Sequence, residues 1–225
     1  MSRKKSAPLK EHYKKVQPIT KNQEAAFTSY KEGYNLVLSG YAGTGKTYIA
    51  MAMAFEALFD NSSIDNIIIV RSAVPTQDLG HLPGTFEEKI APYEEPYESI
   101  CSDLFKVKGV YDHMKELGYI TFMPVSFIRG LTFDNSIIVV DEFQNCNFHA
   151  LDSVITRVGN NSRIIFSGDS TQSDLKKTNE KHDVIDFTNI LDTMPQFRHI
   201  QFGENDIVRS ELVKDYIIRK HKAGK

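Results

Sequence analysis

Gly40-Tyr41-Ala42-Gly43-Thr44-Gly45-Lys46-Thr47 lies between a short apolar run, residues 35–39, and an alanine- and methionine-rich run, residues 46–59. Its G-x-x-x-x-G-K-T spacing matches a phosphate-binding loop at every required position, after an expected strand and at the start of an expected helix. Glycines let such a loop curl around an anion, so that amide N–H groups and the helix N-terminus point at the phosphates. Lys46 is placed to reach the β and γ phosphates and the Thr47 hydroxyl to ligate Mg²⁺. Residues 40–47 and the adjoining Tyr48 form the expected ATP-binding set. A glycine turn with an exposed lysine is the plain alternative, and the strand-loop-helix context weakens it.

Outward from the loop the same alternation repeats. Thr20 reads as an N-cap with Gln23 three residues on, opening a helix of about 12 residues. Strands are expected at 67–71, 119–123, Ser136–Asp141, 163–168 and 199–202, and helices at 87–103, 149–158, 184–192 and 208–220. Near-continuous Ile/Val runs such as Ile137-Ile138-Val139-Val140 belong to strands buried on both faces. The fold class is therefore α/β, a parallel-sheet P-loop NTPase of the RecA-like kind with helices on both faces, binding ligands at the carboxyl ends of its strands. Residues 72–96 fit the alternation poorly, with Pro75, Pro83, Pro92 and Pro96 among glycines and acids; they read as a long ordered excursion, functional or merely packed. Residues 1–18 read as a flexible basic arm and 19–225 as one ATPase domain.

A P-loop alone implies binding. Hydrolysis also needs a carboxylate at the end of a buried strand to hold Mg²⁺, and Asp141 closes Ser136–Asp141. Glu142 follows, where a general base can polarise the attacking water. At the end of the next strand stands Ser167-Gly168-Asp169-Ser170-Thr171-Gln172-Ser173-Asp174, which places Gln172 on the same sheet edge as a γ-phosphate sensor. An Asp/Ser turn is the plain alternative for that loop.

Composition narrows the setting. No run approaches the roughly 18 consecutive apolar residues of a membrane span, and the N-terminus lacks the apolar core of a signal peptide, so a cytoplasmic protein with no membrane contact is expected. Cys101 and Cys146 have no metal-ligand spacing. Residues 1–31 carry eight Lys/Arg against two acids and residues 209–225 six against two; with a total of -2, the ends hold +10 and the middle -12. Basic ends can neutralise nucleic-acid phosphates, and Tyr13 could stack on a base, although a solvated terminus explains the charges equally well.

The order of motifs resembles the PhoH family, P-loop ATPases whose core is similar to the first motor domain of superfamily 1 helicases. The resemblance runs from Gln17 to the C-terminal helix and is carried by Thr20-Lys21-Asn22-Gln23, Arg71, Leu79-Gly80-His81-Leu82-Pro83-Gly84, Ile128-Arg129-Gly130-Leu131-Thr132, Asp141-Glu142-Phe143-Gln144-Asn145, Gly168-Asp169 with Gln172, and Asp206-Ile207-Val208-Arg209. It implies that Gln23 reads the adenine edge, that Gln144 couples the acids to nucleic acid or to the sensor loop, and that Arg209 is an arginine finger. Arg71 and Arg129 face nucleic acid, a neighbouring subunit or a local carboxylate. Phe143, where alanine is usual, and Ser72, where proline is usual, depart from the pattern. Nothing in the chain matches the fused-nuclease branch. Superfamily 1 motors hold ATP between two such domains and this chain supplies one, so the resemblance implies a homo-oligomer, a hexameric ring, with Arg209 donated by a neighbour. The function implied is a helicase-like ATPase acting on RNA or single-stranded DNA. A regulatory ATPase switch that controls oligomer or partner assembly is the alternative, favoured by the acidic middle and the proline-rich segment.

Overall fold

The computed structural model describes residues 7–72, 85–169 and 178–223. Its centre is a six-stranded sheet of order β3-β2-β4-β5-β1-β6, formed by β1 (Asn35–Gly40), β2 (Asn66–Arg71), β3 (Ile120–Pro124), β4 (Ser136–Asp141), β5 (Arg163–Ser167) and β6 (Phe197–Phe202). Every pairing is parallel. Eight α-helices among the described residues surround it: α1 (Ala7–His12), α2 (Lys21–Lys31), α3 (Lys46–Asp60), α4 (Phe86–Phe105), α5 (Val110–Glu116), α6 (Phe148–Ile155), α7 (Thr178–Thr193) and α8 (Glu211–Lys222).

The strands divide their side chains between two cores with period 2. Leu36, Leu38, Ile67, Ile69, Ile137, Val139 and Ile165 join one cluster with α2, α3, α4 and α5. Val37, Ile68, Val70, Ile138, Val140, Ile164 and Phe166 face the opposite cluster with α6 and α7. Each such side chain contributes about 1.5–3 kcal/mol by leaving water, against about 1 kcal/mol for a loop hydrogen bond, so these two layers hold the sheet edge in place. In α3, the small residues Ala50, Ala52 and Ala54 are all fully buried, which lets the helix behind the P-loop lie close to the sheet.

Helix α4 shows how a proline-bearing stretch stays helical. Thr85 and Glu88 form a reciprocal capping box at its start. Ile90, Glu94, Tyr97, Cys101 and Leu104 form its buried stripe. Pro92 and Pro96 lie on the exposed side. The carbonyls of Glu88 and Pro92, which lose their donors to the two prolines, belong to residues on that same exposed side, where water can satisfy them. The excursion expected over 72–96 is therefore helical from Phe86 onward, while residues 73–84 lie outside the described residues.

The N-terminal stretch differs from the unstructured arm expected over residues 1–18. It contains α1, and the Tyr13 ring sits against Phe55, Phe59 and Phe105 at centroid distances of 6.2, 5.6 and 5.4 Å. The Tyr13 hydroxyl donates to Ala52 O at 3.1 Å, and Lys14 N–H donates to Leu104 O at 2.7 Å. Aromatic burial outweighs the surrounding lysines here. Tyr13 is thus a packing residue, not a free stacking platform.

Candidate functional site

Gly45 (φ 81°) precedes the first helical residue, Lys46, so the loop turns directly into α3. Lys46 is buried, and its Nζ donates to Gly40 O at 2.8 Å and Tyr41 O at 2.7 Å. Burial pushes its pKa down, opposed by the nearby carboxylates of Asp169, Glu142 and Asp141. The ammonium thus sits on carbonyls it can exchange for phosphate oxygens. Gly43 is required both by its φ of +72° and by space, because a Cβ there would come within 2.9 Å of Arg209 Cγ.

β5 lies between the strand that enters the P-loop and the strand that ends in Asp141, with Ser167 in register with both Leu38 and Asp141. The Thr47 hydroxyl, on the first turn of α3, donates to Asp141 Oδ1 at 2.8 Å and lies 3.4 Å from Ser167 Oγ. Asp141 Oδ2 accepts from the Tyr97 hydroxyl at 2.8 Å. Burial first, then the Asp141 charge, pushes the Tyr97 phenol well above its ordinary range, so it remains a donor.

The next residue, Glu142, occupies the left-handed region at φ 52°, ψ 40°. A non-glycine residue there is strained, and the turn re-aims its side chain off the strand direction. Desolvation, and next the Asp141 charge, raise the Glu142 pKa; its hydrogen bond from Gln144 and the charges of Arg71 and Lys46 oppose this. Gln144 donates Nε2 to Glu142 Oε2, while its Oε1 accepts from Asp169 N–H at 3.0 Å. Gly168 leaves room for that side chain, since a Cβ would stand 2.2 Å from Gln144 Oε1. Phe143 fills the core beneath, edge-on to Phe166 at 6.0 Å. The Ser72 hydroxyl donates to Asn145 O at 3.0 Å, tying the end of β2 to the same turn.

Ala42, Gly43, Thr44, Gly45, Lys46, Thr47, Tyr48, Asp141, Glu142, Ser167, Asp169 and Arg209 border one cleft of about 390 Å³. Its oxygen donors, the Thr47 hydroxyl and the Asp141 carboxylate, suit a hard cation that keeps most of its waters and takes phosphate oxygens, as Mg²⁺ does.

A second hollow of about 560 Å³ adjoins the loop, lined by Val16, Ile19, Gln23, Tyr48, Val208 and Arg209 among others. Gln23 lies beneath it. Thr20 caps α2 as expected, but the Gln23 amide does not close a capping box. Its Oε1 accepts from Ile19 N–H at 2.9 Å, and its Nε2 donates to Thr44 O at 3.0 Å. Arg163 fixes the other end of α2, donating to the carbonyls of Tyr30 and Tyr34 and lying 3.5 Å over the Tyr30 ring.

The remaining expectations divide. Arg209 lies on the P-loop of its own chain, where Val208 N–H also donates to Gly43 O at 3.0 Å; it precedes α8 and is not part of it. Arg71 donates to Tyr93 O, and Arg129 pairs with His149 at 2.8 Å. Gln172 and the stretch 79–84 lie outside the described residues. Two contacts had no anticipation in the sequence. Tyr97 belongs to the helical stripe that marks it as buried, but nothing local marks its partner as Asp141. Tyr41 stacks on His221 of α8 at 4.1 Å, and its hydroxyl is 2.9 Å from His221 Nδ1.

Comparison with known proteins places this geometry. The family model for PhoH-like proteins matches residues 15–220. Protein PhoH of Escherichia coli K12 is 34% identical over 206 residues, covering 87% of this chain and 56% of that protein. The PhoH-like protein of Bacillus subtilis is 35% identical over 179 residues, covering 79% and 55%. The chain thus spans little more than half the length of these relatives. The large terminase of a thermophilic bacteriophage shares the fold, with a TM-score of 0.55 at 14% identity over 90% of this chain and 50% of the terminase chain.

Proposed function

Because the chain belongs to the PhoH family and has the P-loop NTPase fold, we propose that it is an ATPase that hydrolyses ATP in the cleft between Lys46 and Asp141 and uses the cycle to act on RNA or single-stranded DNA, as a helicase-like homo-oligomeric ring. The observation that carries hydrolysis is Glu142: it borders the same cleft as Lys46, is aimed by a left-handed backbone turn and is held by Gln144.

In this reading Lys46 Nζ leaves the Gly40 and Tyr41 carbonyls for β- and γ-phosphate oxygens, and the loop amides surround the anion. Thr47 and Asp141 would hold Mg²⁺, which would supply charge neutralisation for the phosphates. Glu142 accepts a proton from the water that attacks the γ-phosphate, and its raised pKa makes it a stronger base than an exposed carboxylate. Gln172 senses the γ-phosphate, and Gln144 joins that loop to Glu142. Arg209 neutralises transition-state charge from its own chain. The ATPase unit is residues 19–225, against which Tyr13 and Lys14 of the preceding segment pack. Steady-state ATPase rates with and without single-stranded RNA and DNA test the assignment. Stimulation is expected, and identical rates at all polymer concentrations sink the nucleic-acid role.

A second reading, an ATP-controlled assembly switch, draws on the Tyr41–His221 stack. Lys46 binds Tyr41 O, and the Tyr41 ring binds α8, whose Leu212 and Tyr216 are exposed. Moving Lys46 onto phosphate would therefore disturb the contact with α8. Sizing the protein with and without a non-hydrolysable ATP analogue tests this reading, and one unchanging oligomer counts against it.

A further inference from the structure

Asp141 has both carboxylate oxygens engaged by hydroxyl donors from different elements: Oδ1 by Thr47 from α3 and Oδ2 by Tyr97 from α4. The two donors are not equivalent. Thr47 borders the open cleft and can turn its hydroxyl toward a ligand, whereas Tyr97 is fully buried, with its ring 5.9 Å from Phe122 and its neighbours in the α4 stripe packed into the core.

We propose that Tyr97 is a positioning residue for the metal-side acid: its hydroxyl fixes the plane of the Asp141 carboxylate, so that Oδ1 stays aimed at the cleft when Thr47 releases it. The proposal rests on reading Asp141 as the residue that holds Mg²⁺. The physical need is plain. A carboxylate on a strand end swings about its terminal torsion at little cost, and a hydrogen bond on the oxygen facing away from the ligand removes that freedom. Tyr97 also links the site to α4, whose Ile100 borders the same cleft, so this helix takes part in the metal side of the site.

Tyr97→Phe keeps the ring and removes only the hydroxyl. Binding of a fluorescent ADP analogue to the full chain is measured as a function of Mg²⁺ and again in excess EDTA. The expected result is an EDTA affinity equal to that of the parent protein and a Mg²⁺ half-saturation raised about 10- to 100-fold, the usual effect of losing a partner of a metal ligand. An unchanged half-saturation overturns the proposal, as does an equal loss of affinity in EDTA, which marks a general packing defect. Asp141→Asn, measured alongside, separates the premises. If it too leaves Mg²⁺ dependence unmoved, the metal-side reading of Asp141 falls; if it alone shifts the curve, only the role of Tyr97 falls.

Discussion

Gln144 donates its side-chain Nε2 to Glu142 Oε2, two residues back around a strained turn, and its other amide atom accepts from the backbone of Asp169. One side chain thus spans from the end of β4 to the loop after β5, so any shift of that loop is felt by the Glu142 carboxylate. Gln144→Ala is expected to lower kcat by about 100-fold, the scale of a misplaced catalytic group, with ATP binding nearly unchanged. Steady-state kinetics and equilibrium binding on the same variant check this. A parallel loss of binding would place Gln144 in the nucleotide pocket instead.

Glu142→Gln removes the base but retains an acceptor for Gln144. Turnover is expected to fall by about 10²- to 10⁴-fold while nucleotide stays bound. Because the Glu142 pKa is raised in the fold, the stability linked to it is full below its unfolded pKa and is lost as pH rises through the folded value. Neutral pH lies above the unfolded pKa, where the raised value costs stability, so the variant should melt higher than the parent, by about 2–4 °C for each kcal/mol relieved. That advantage should vanish in acid. Calorimetric melts at several pH values, beside ATPase assays, show both effects.

Gln23 joins Ile19 N–H to Thr44 O from beneath the second hollow. Gln23→Ala leaves the buried Thr44 carbonyl without its donor, a loss of about 1–3 kcal/mol. If Gln23 also reads the adenine edge, the variant loses preference for ATP over GTP; if it is only a brace, both affinities fall together. Competition binding with the two nucleotides decides between these roles, and denaturant unfolding measures the brace.

Arg209 stands on its own chain's P-loop, which argues for action in cis. Arg209→Ala should reduce kcat by about 10³-fold or more if it serves as a finger. Mixing it with Glu142→Gln subunits should restore nothing, because each subunit would lack a group that only its own chain supplies. Activity recovered on mixing would instead establish a finger donated by a neighbour.

The loop from Gly40 to Thr47 and the acids after Ile137-Ile138-Val139-Val140 were legible because their chemistry is local: glycines, a lysine and a threonine at fixed spacing, and carboxylates at the end of an apolar run. Strand placement followed for the same reason, since period and β-branching are properties of a few adjacent residues. Tyr13, within a lysine-rich stretch, looked available to solvent, and only the aromatic surface offered by Phe55, Phe59 and Phe105 reversed that. Pro92 and Pro96 fell in both the excursion expected over 72–96 and the helix expected over 87–103, and the exposed side of α4 shows where their freed carbonyls lie.

What the chain determined by itself was which residues could bind phosphate and metal and that they would meet at one sheet edge. The insertion of β5 between β1 and β4, the Tyr97 hydroxyl on Asp141, the choice of the loop after β5 as the partner of Gln144 and the own-chain position of Arg209 were decided only by tertiary structure. The reason is range. Each of these contacts joins different structural elements, and its partner is selected by packing across the sheet, which no local pattern of side chains encodes.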